Sequence, residues 1–232
     1  MIWAIGDLHL DHTGKKPMDI FGPQWIQHEE KIFNAWEEKI GPQDLVFLVG
    51  DHSWAMQLEE ARGDLDRLEK LAGKKILIKG NHDYWWSSMN KLEGLGYKSL
   101  HFLHNNAYVI DGIGVVGTRG WSDIDSKGFD DHDEKIYKRE CNRLELSIGA
   151  LKELGKTQEI KEVYALIHYP PFSYRGQPND FAHILSREGI KTCLYGHLHS
   201  EGHAFVREGD YEGVNYICVA SDYVNFKPVR LK

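Results

Sequence analysis

Cysteine is scarce in this 232-residue chain: Cys141, Cys193 and Cys218 are all there are, and no two of them form a C-x-x-C pair. Such a count supplies no disulfide framework and fits buried thiols in a reducing, cytoplasmic compartment. Basic charge is also short, with 28 Lys and Arg against 35 Asp and Glu and a net charge of −7. That balance argues against wrapping extended nucleic acid on a broad basic face, since such binding rests on neutralising phosphates. A small or medium anionic substrate held by a local positive site stays open. No stretch approaches the ~20 apolar residues of a membrane span. The N-terminal MIWAIGDLHL has no basic leader and is interrupted at Asp7, so it does not read as a signal peptide. There is no internal repeat, low-complexity tract or Pro/Gly/Ser linker, and residues 1–232 are expected to form one domain.

Against these absences stands an alternation of short apolar runs with helical patterns. MIWAI (1–5), DLVFLV (44–49), KILIK (75–79), VYALI (163–167) and TCLY (192–195) have strand length and composition. Residues 24–40 place Phe33, Trp36 and Ile40 on one helical face, and Leu58, Ala61, Leu65, Leu68 and Ala72 do the same. Tyr137, Cys141, Leu144, Ile148 and Leu151 mark a long helix, and a shorter one is expected near 179–187. The tail, AFVRE then VNYICVA, reads as antiparallel strands. Alternation early and hairpins later suggest an α/β sandwich built on sheets.

Two motifs mislead. GIGVVG (112–117) matches the dinucleotide fingerprint G-x-G-x-x-G, but that fingerprint needs a helix to open within it. Here Asp111-Gly112 lies between AYVI and β-branched IGVV, the pattern of a two-residue hairpin turn. HEEKI (28–32) fails as a zinc-protease motif because Ile32 stands where the second histidine must be.

The informative pattern lies at the carboxyl end of each apolar run. GDLH delivers Asp7 and His9, GDH delivers Asp51, GNHD delivers Asn81, His82 and Asp83, HYP delivers His168, and GHLH delivers His197 and His199. In open α/β sheets the carboxyl ends of strands line the ligand crevice, so groups far apart in sequence are expected to meet. Oxygen and nitrogen donors without thiolate suit divalent Mn, Fe, Co, Ni or Zn better than an all-oxygen Mg or Ca cage. Asp7, His9, Asp51, Asn81, His168, His197 and His199 exceed one tetrahedral set, and a carboxylate such as Asp51 can bridge two ions about 3.5–4 Å apart. Two divalent ions outweigh the Asp7 and Asp51 carboxylates, leaving local positive charge for an anionic substrate.

These five blocks, in this order from residue 6 to residue 199, resemble the motif series of the calcineurin-like metallophosphoesterases. The resemblance implies a four-layer α/β/β/α sandwich of two mixed sheets flanked by helices, and a centre of two divalent transition-metal ions. By motif position Asp7, His9 and His199 would bind the first ion and Asn81, His168 and His197 the second, with Asp51 bridging. His82 would stand beside the ions and assist the leaving group. The implied reaction is hydrolysis of a phosphomonoester or phosphodiester by in-line attack of a metal-bridging hydroxide. GDHSWAMQ lacks the arginine that protein serine/threonine phosphatases carry after their second motif, which argues against protein dephosphorylation. Trp54 stands where purple acid phosphatases place a tyrosine ligand. Two rivals remain: a nuclease of the same family, and a non-catalytic interaction scaffold that keeps the fold.

Around these blocks the assignments are looser. Asp83 either caps a following helix or supports the ligands. His12, His28 and His52 are near enough in sequence to orient a ligand group, whereas His101, His104, His132, His183 and His203 read as surface or core. Arg119 and Tyr169 are candidate substrate contacts, the arginine for a phosphate oxygen. Trp85, Trp86, Trp121, Tyr169 and Tyr174 are candidate walls of a cleft, and residues 118–133 are long enough for a lid.

Overall fold

A computed structural model describes residues 1–232. Strands β1 (Ile2–Ile5), β2 (Leu45–Val49), β3 (Lys74–Ile78) and β4 (Leu100–Leu103) run parallel, and antiparallel β11 (Val229–Arg230) closes one edge, giving the order β11-β1-β2-β3-β4. The second sheet holds β5 (Tyr108–Ile110), β6 (Ile113–Thr118), β7 (Glu162–Ile167), β8 (Thr192–Tyr195), β9 (Gly209–Tyr211) and β10 (Val214–Cys218) in the order β5-β6-β7-β8-β10-β9. Its inner strands are parallel and its edges antiparallel, so both sheets are mixed. The helices are α1 (His28–Lys39), α2 (Leu58–Lys70), the short α3 (Met89–Glu93), α4 (Asp131–Leu154) and α5 (Asp180–Arg187).

The period of two along each strand sorts side chains into three apolar layers. Val46 and Leu48 of β2 join Ile32 and Trp36 of α1 and Leu65 and Leu68 of α2 in an outer layer. Phe47 and Val49 point the other way, with Ala4, Ile76 and Ile78, and meet Val115, Tyr164, Leu166 and Leu194 of the second sheet. On that sheet's far face Val116, Ala165 and Ile167 pack against Leu144 and Ile148 of α4 and Phe181 and Leu185 of α5. Both faces of both sheets are thus covered, which explains the near-continuous apolar strands. The result is the expected α/β/β/α sandwich.

Several boundaries differ from expectation. The first helix starts at His28, and residues 23–25 form a 3-10 turn held by Pro23. AFVRE is no strand: Ser200–Phe205 is a 3-10 turn and the antiparallel partner of β10 lies later, at Gly209–Tyr211. β4 (LHFL, between Ser99 and His104) and the two-residue β11 were not expected. The hairpin at Asp111-Gly112 is real, with φ of 54° and 81°, the left-handed pair that a type I′ turn requires.

The inter-sheet layer joins the two halves. Phe47 is fully buried in it, its ring 5.3 Å from that of Tyr164. Phe47→Ala should therefore cost ~3–5 kcal/mol in urea unfolding; a loss under ~1 kcal/mol would mean that the sheets are not packed as described.

Candidate metal centre

The strand-end motifs come together at one edge of the sandwich. Asp7 N donates to Gly50 O at 2.9 Å, His9 N to Asp51 O at 2.9 Å and Gly196 N to His168 O at 3.1 Å, so backbone ties the first motif to the second and the fourth to the fifth. The carboxylates complete the ties: Asp51 Oδ1 accepts from His82 N at 2.7 Å, and both Asp7 oxygens accept from His197 N at 3.1 Å. Asp7, His9, Asp51 and His197 hold left-handed backbone, with φ of 56°, 46°, 52° and 73°. Such conformations in non-glycine residues gather at functional sites, where surrounding bonds hold them. Glycine in these motifs has a steric reason as well. A Cβ on Gly80 would collide with Asp51 Oδ1, and one on Gly196 with Asp7 Oδ2.

Two clusters result. Asp7, His9 and His199 present donor atoms within 4.8 Å of one another, and so do Asp7, Asp51 and His168. His199 Nε2 lies 3.3 Å from Asp7 Oδ1, and His168 Nε2 lies 3.4 Å from Asp51 Oδ2. His9 Nε2 approaches the same Asp51 oxygen at 3.9 Å. Asn81 Oδ1 is the meeting point of the remaining set, 2.7 Å from His168 Nε2 and 2.9 Å from His197 Nδ1. All seven expected residues thus share one buried site, with Asp51 between the two groups.

The electrostatics mark a place that wants cations. Burial pushes against ionisation of Asp7, yet His199 and then His168 hold its carboxyl below the usual range; Asp51 is held low against burial by His168 and His9. In return, and also against burial, Asp51 and Asp7 lift His168 to about 9, and Asp7 and Asp222 lift His199 to about 10. Burial instead pushes His9 and His197 down to about 3, keeping them neutral. His9 Nδ1 is buried without a hydrogen-bond partner, and His199 Nε2 has only the Asp7 carboxylate to face. Buried imidazoles gathered on two buried carboxylates are what divalent cations satisfy, so the residues fit the expected pair of ions.

Supporting contacts fix the ligands. His168 Nδ1 is 3.0 Å from Val49 O, which leaves Nε2 facing the site. His199 Nδ1 is 2.7 Å from Asp222 Oδ1, and His203 Nε2 stands 3.1 Å from the other Asp222 oxygen. Sequence reasoning missed Asp222 and the part of His203, although Asp222 closely follows β10 just as the motifs follow their strands. Asp83 caps no helix: α3 begins only after Ser88. Its carboxylate accepts from Gly80 N, His52 N, Asp51 N and Trp85 Nε1 at 2.7, 2.8, 3.0 and 3.0 Å, binding the second and third motifs together. Trp54 stacks on His9 at 4.9 Å and lies 4.6 Å from His82.

The looser candidates separate. His28 Nε2 is 3.2 Å from His9 O and steadies that turn, His52 reaches Ile78 O at 2.7 Å, and His12 pairs with Asp64 at 3.4 Å away from the centre. Trp85 and Trp86 are buried in the outer core, so they do not wall the metal site. Tyr169 packs on His197 at 4.0 Å, and burial pushes its hydroxyl up to about 12. Arg119 pairs with buried Glu140 at 3.3 Å and lies over the Trp121 ring at 4.3 Å.

His168 and His199 hold protons at neutral pH, and a metal ion needs their nitrogens bare. Binding of Mn²⁺ at pH 7 should therefore release about two protons and tighten as pH rises toward 9. Calorimetry in buffers of different ionisation enthalpy reads this, and proton-neutral, pH-independent binding would contradict it. Asp222→Ala should weaken one of two metal sites by ~10- to 100-fold and spare the other; equal loss at both, or none, would remove Asp222 from the support of His199.

Residues 1–201 match the calcineurin-like phosphoesterase family. The chain is 30% identical over 115 residues to the [acyl-carrier-protein] phosphodiesterase PptH of Mycobacterium tuberculosis, covering 50% of this chain and 29% of that protein. It is 35% identical over 86 residues to the gene 66 protein of Mycobacterium phage D29, covering 35% of this chain and 40% of that one. The chain thus spans less than half the length of each of these two relatives. The uncharacterized protein L509 of Acanthamoeba polyphaga mimivirus is 21% identical over 274 aligned positions, covering 97% of this chain and 93% of its own. A protein of unknown function from Aquifex aeolicus shares the fold at a TM-score of 0.51 and 18% identity, over 99% of this chain and 94% of that one. With the family match running through all five motifs, the chain belongs to the calcineurin-like phosphoesterases.

Proposed function

We propose that this protein is a dimetal-dependent phosphoesterase that hydrolyses a phosphomonoester or phosphodiester. The observation that carries the reading is the convergence of two buried carboxylates, four histidines and an asparagine from five separate loops on one point at the sheet edges. Family membership and the phosphodiesterase name of PptH support ester hydrolysis. Asp7, His9 and His199 would hold one ion and Asn81, His168 and His197 the other, with Asp51 shared. Bound there, the ions supply Lewis-acid charge to phosphate oxygens.

The chain itself supplies orientation and a proton. Hydrolysis forms one P–O bond from water and breaks one to the leaving alcohol, which must depart with a proton. We assign that transfer to His82, a reading supported by its backbone N–H on Asp51 and by its half-buried ring, which leans on Trp54 at 4.6 Å and faces His9 at 5.7 Å. It makes no hydrogen bond to the ligand carboxylates through its ring, so the imidazole is available to substrate. No helix is long and apolar enough to cross a membrane.

The test is hydrolysis of mono- and bis-nitrophenyl phosphates by metal-stripped protein given back Mn²⁺, with Asp51→Asn as the blank. Metal-restored turnover absent from Asp51→Asn is expected. Two bound ions with no turnover of any phosphoester would overturn the reading. His82→Ala should lower kcat by ~10²- to 10⁴-fold with metal content unchanged, and by more for alkyl than for nitrophenyl leaving groups. Parallel loss of metal and activity would deny it the proton-transfer role.

A further inference from the structure

A cleft of about 210 Å³ opens against His197 and Tyr169, and its lining shares none of the rings that pack on His82. Its walls are aromatic. Trp121 and Tyr169 stand 5.6 Å apart, while Tyr174 and Phe205, 63% and 38% exposed, lie tilted by 35° against each other at 4.7 Å. Large rings left in solvent beside a buried polar centre are unusual unless something covers them.

Trp121 is held from several directions. Its Nε1 donates to Asp133 Oδ1 at 3.0 Å, and Asp133 is itself fixed in the capping box that starts α4. The Arg119 guanidinium lies 4.3 Å over its ring, anchored on Glu140 at 3.3 Å. Glu140 is buried and also takes Arg143 at 2.7 Å and Thr118 Oγ1 at 2.7 Å. Arg119, expected as a phosphate contact, here packs on the Trp121 ring and pairs with Glu140. A ring held rigid before the ligand arrives loses little entropy on binding.

Charge and size narrow the occupant. No lysine or arginine lines the cleft, whereas the Asp123 carboxylate does, so a second phosphate is disfavoured there. The volume falls below the ~300–1,000 Å³ of sites for drug-sized ligands, which suits one planar ring system with hydrogen-bonding edges facing Ser122, Ser126 and Ser173. Position narrows it further. With His82 as proton donor the leaving group would depart toward it, and the cleft, lined by His197 and by none of the rings around His82, would receive what stays on phosphorus.

We infer that this cleft is a subsite for a heteroaromatic ring on the retained ester group, which makes the substrate a nucleoside-bearing phosphodiester. The inference rests on the phosphoesterase reading and selects the diester within it. Stacking on an aromatic side chain is worth roughly 5- to 140-fold when the side chain is cut to alanine.

Thymidine 5′-(p-nitrophenyl phosphate) and methyl p-nitrophenyl phosphate share a leaving group and differ only in the retained ester. Mn²⁺-loaded protein should show kcat/KM at least ~10-fold higher for the thymidine ester. That ratio should collapse toward one in Trp121→Ala and in the Tyr174→Ala/Phe205→Ala double variant, with metal stoichiometry as the check on folding. A ratio near one in the unaltered protein, or one that survives in both variants, overturns the ring subsite. Should neither diester be hydrolysed while p-nitrophenyl phosphate is, the diester assignment fails and the phosphoesterase reading stands; should no phosphoester be hydrolysed, the phosphoesterase reading fails, and calorimetry of thymidine 5′-phosphate against methyl phosphate decides the subsite by itself. Tighter thymidine 5′-phosphate binding that the double variant loses supports it; equal binding overturns it.

Discussion

Two carboxylates, Asp7 and Asp51, are buried side by side where water does not reach them, and the active edge of the molecule is organised around that fact. An unpaired buried carboxylate is costly enough that the protein must supply compensating charge or protons. Here the compensation is histidine from other strands: His168 rises to about 9 and His199 to about 10 against the pull of burial. Divalent ions would answer the same demand better, since they would replace those protons and draw the buried His9 and His199 imidazoles onto the same charge. The strained turns at Asp7, His9, Asp51 and His197 and the glycines that cannot accept a Cβ are costs of bringing the donors this close.

The sandwich makes this arrangement possible. Parallel strands in both sheets bring their carboxyl ends to one edge, and the inter-sheet layer around Phe47 and Tyr164 fixes one sheet against the other. Asp83 then locks the second motif to the third, while Asp222, delivered just after β10, orients His199. The candidate metal donors follow β1, β2, β3, β7 and β8, but their alignment depends on a sixth strand and on residues outside the donor set. On the far side of His197 the fold adds an aromatic cleft whose rigidity comes from α4, through Asp133 and Glu140.

Much of this was legible in the sequence because polar residues after apolar strand-length runs have few other reasons to recur. Asp7, Asp51, Asn81, His168 and His197 each follow such a run, and the structure gathers them. The rule stopped at His199 only because the last motif lies there; VNYICVA is another such run, and Asp222 follows it. What periodicity could not reveal was side-chain traffic. Arg119 faces Glu140 because a buried glutamate on α4 needs a cation, and no spacing encodes that pair. Trp85 and Trp86 are core because their loop folds back over β4, where Trp86 meets Phe102 at 5.5 Å, a contact that no spacing encodes. AFVRE looked like a strand because alternation over a few residues costs nothing, whereas its backbone makes a 3-10 turn after His199.

The proposed dimetal centre depends on Asp51, the carboxylate that two ions in adjacent sites would share. Electron paramagnetic resonance of the protein titrated with Mn²⁺ tests that sharing directly. A spin-coupled pair should develop as the second equivalent binds, as ions about 3.5–4 Å apart require, and Asp51→Asn should abolish the coupling. Two independent Mn²⁺ signals, or saturation at a single ion, would contradict the shared carboxylate and with it the dimetal centre.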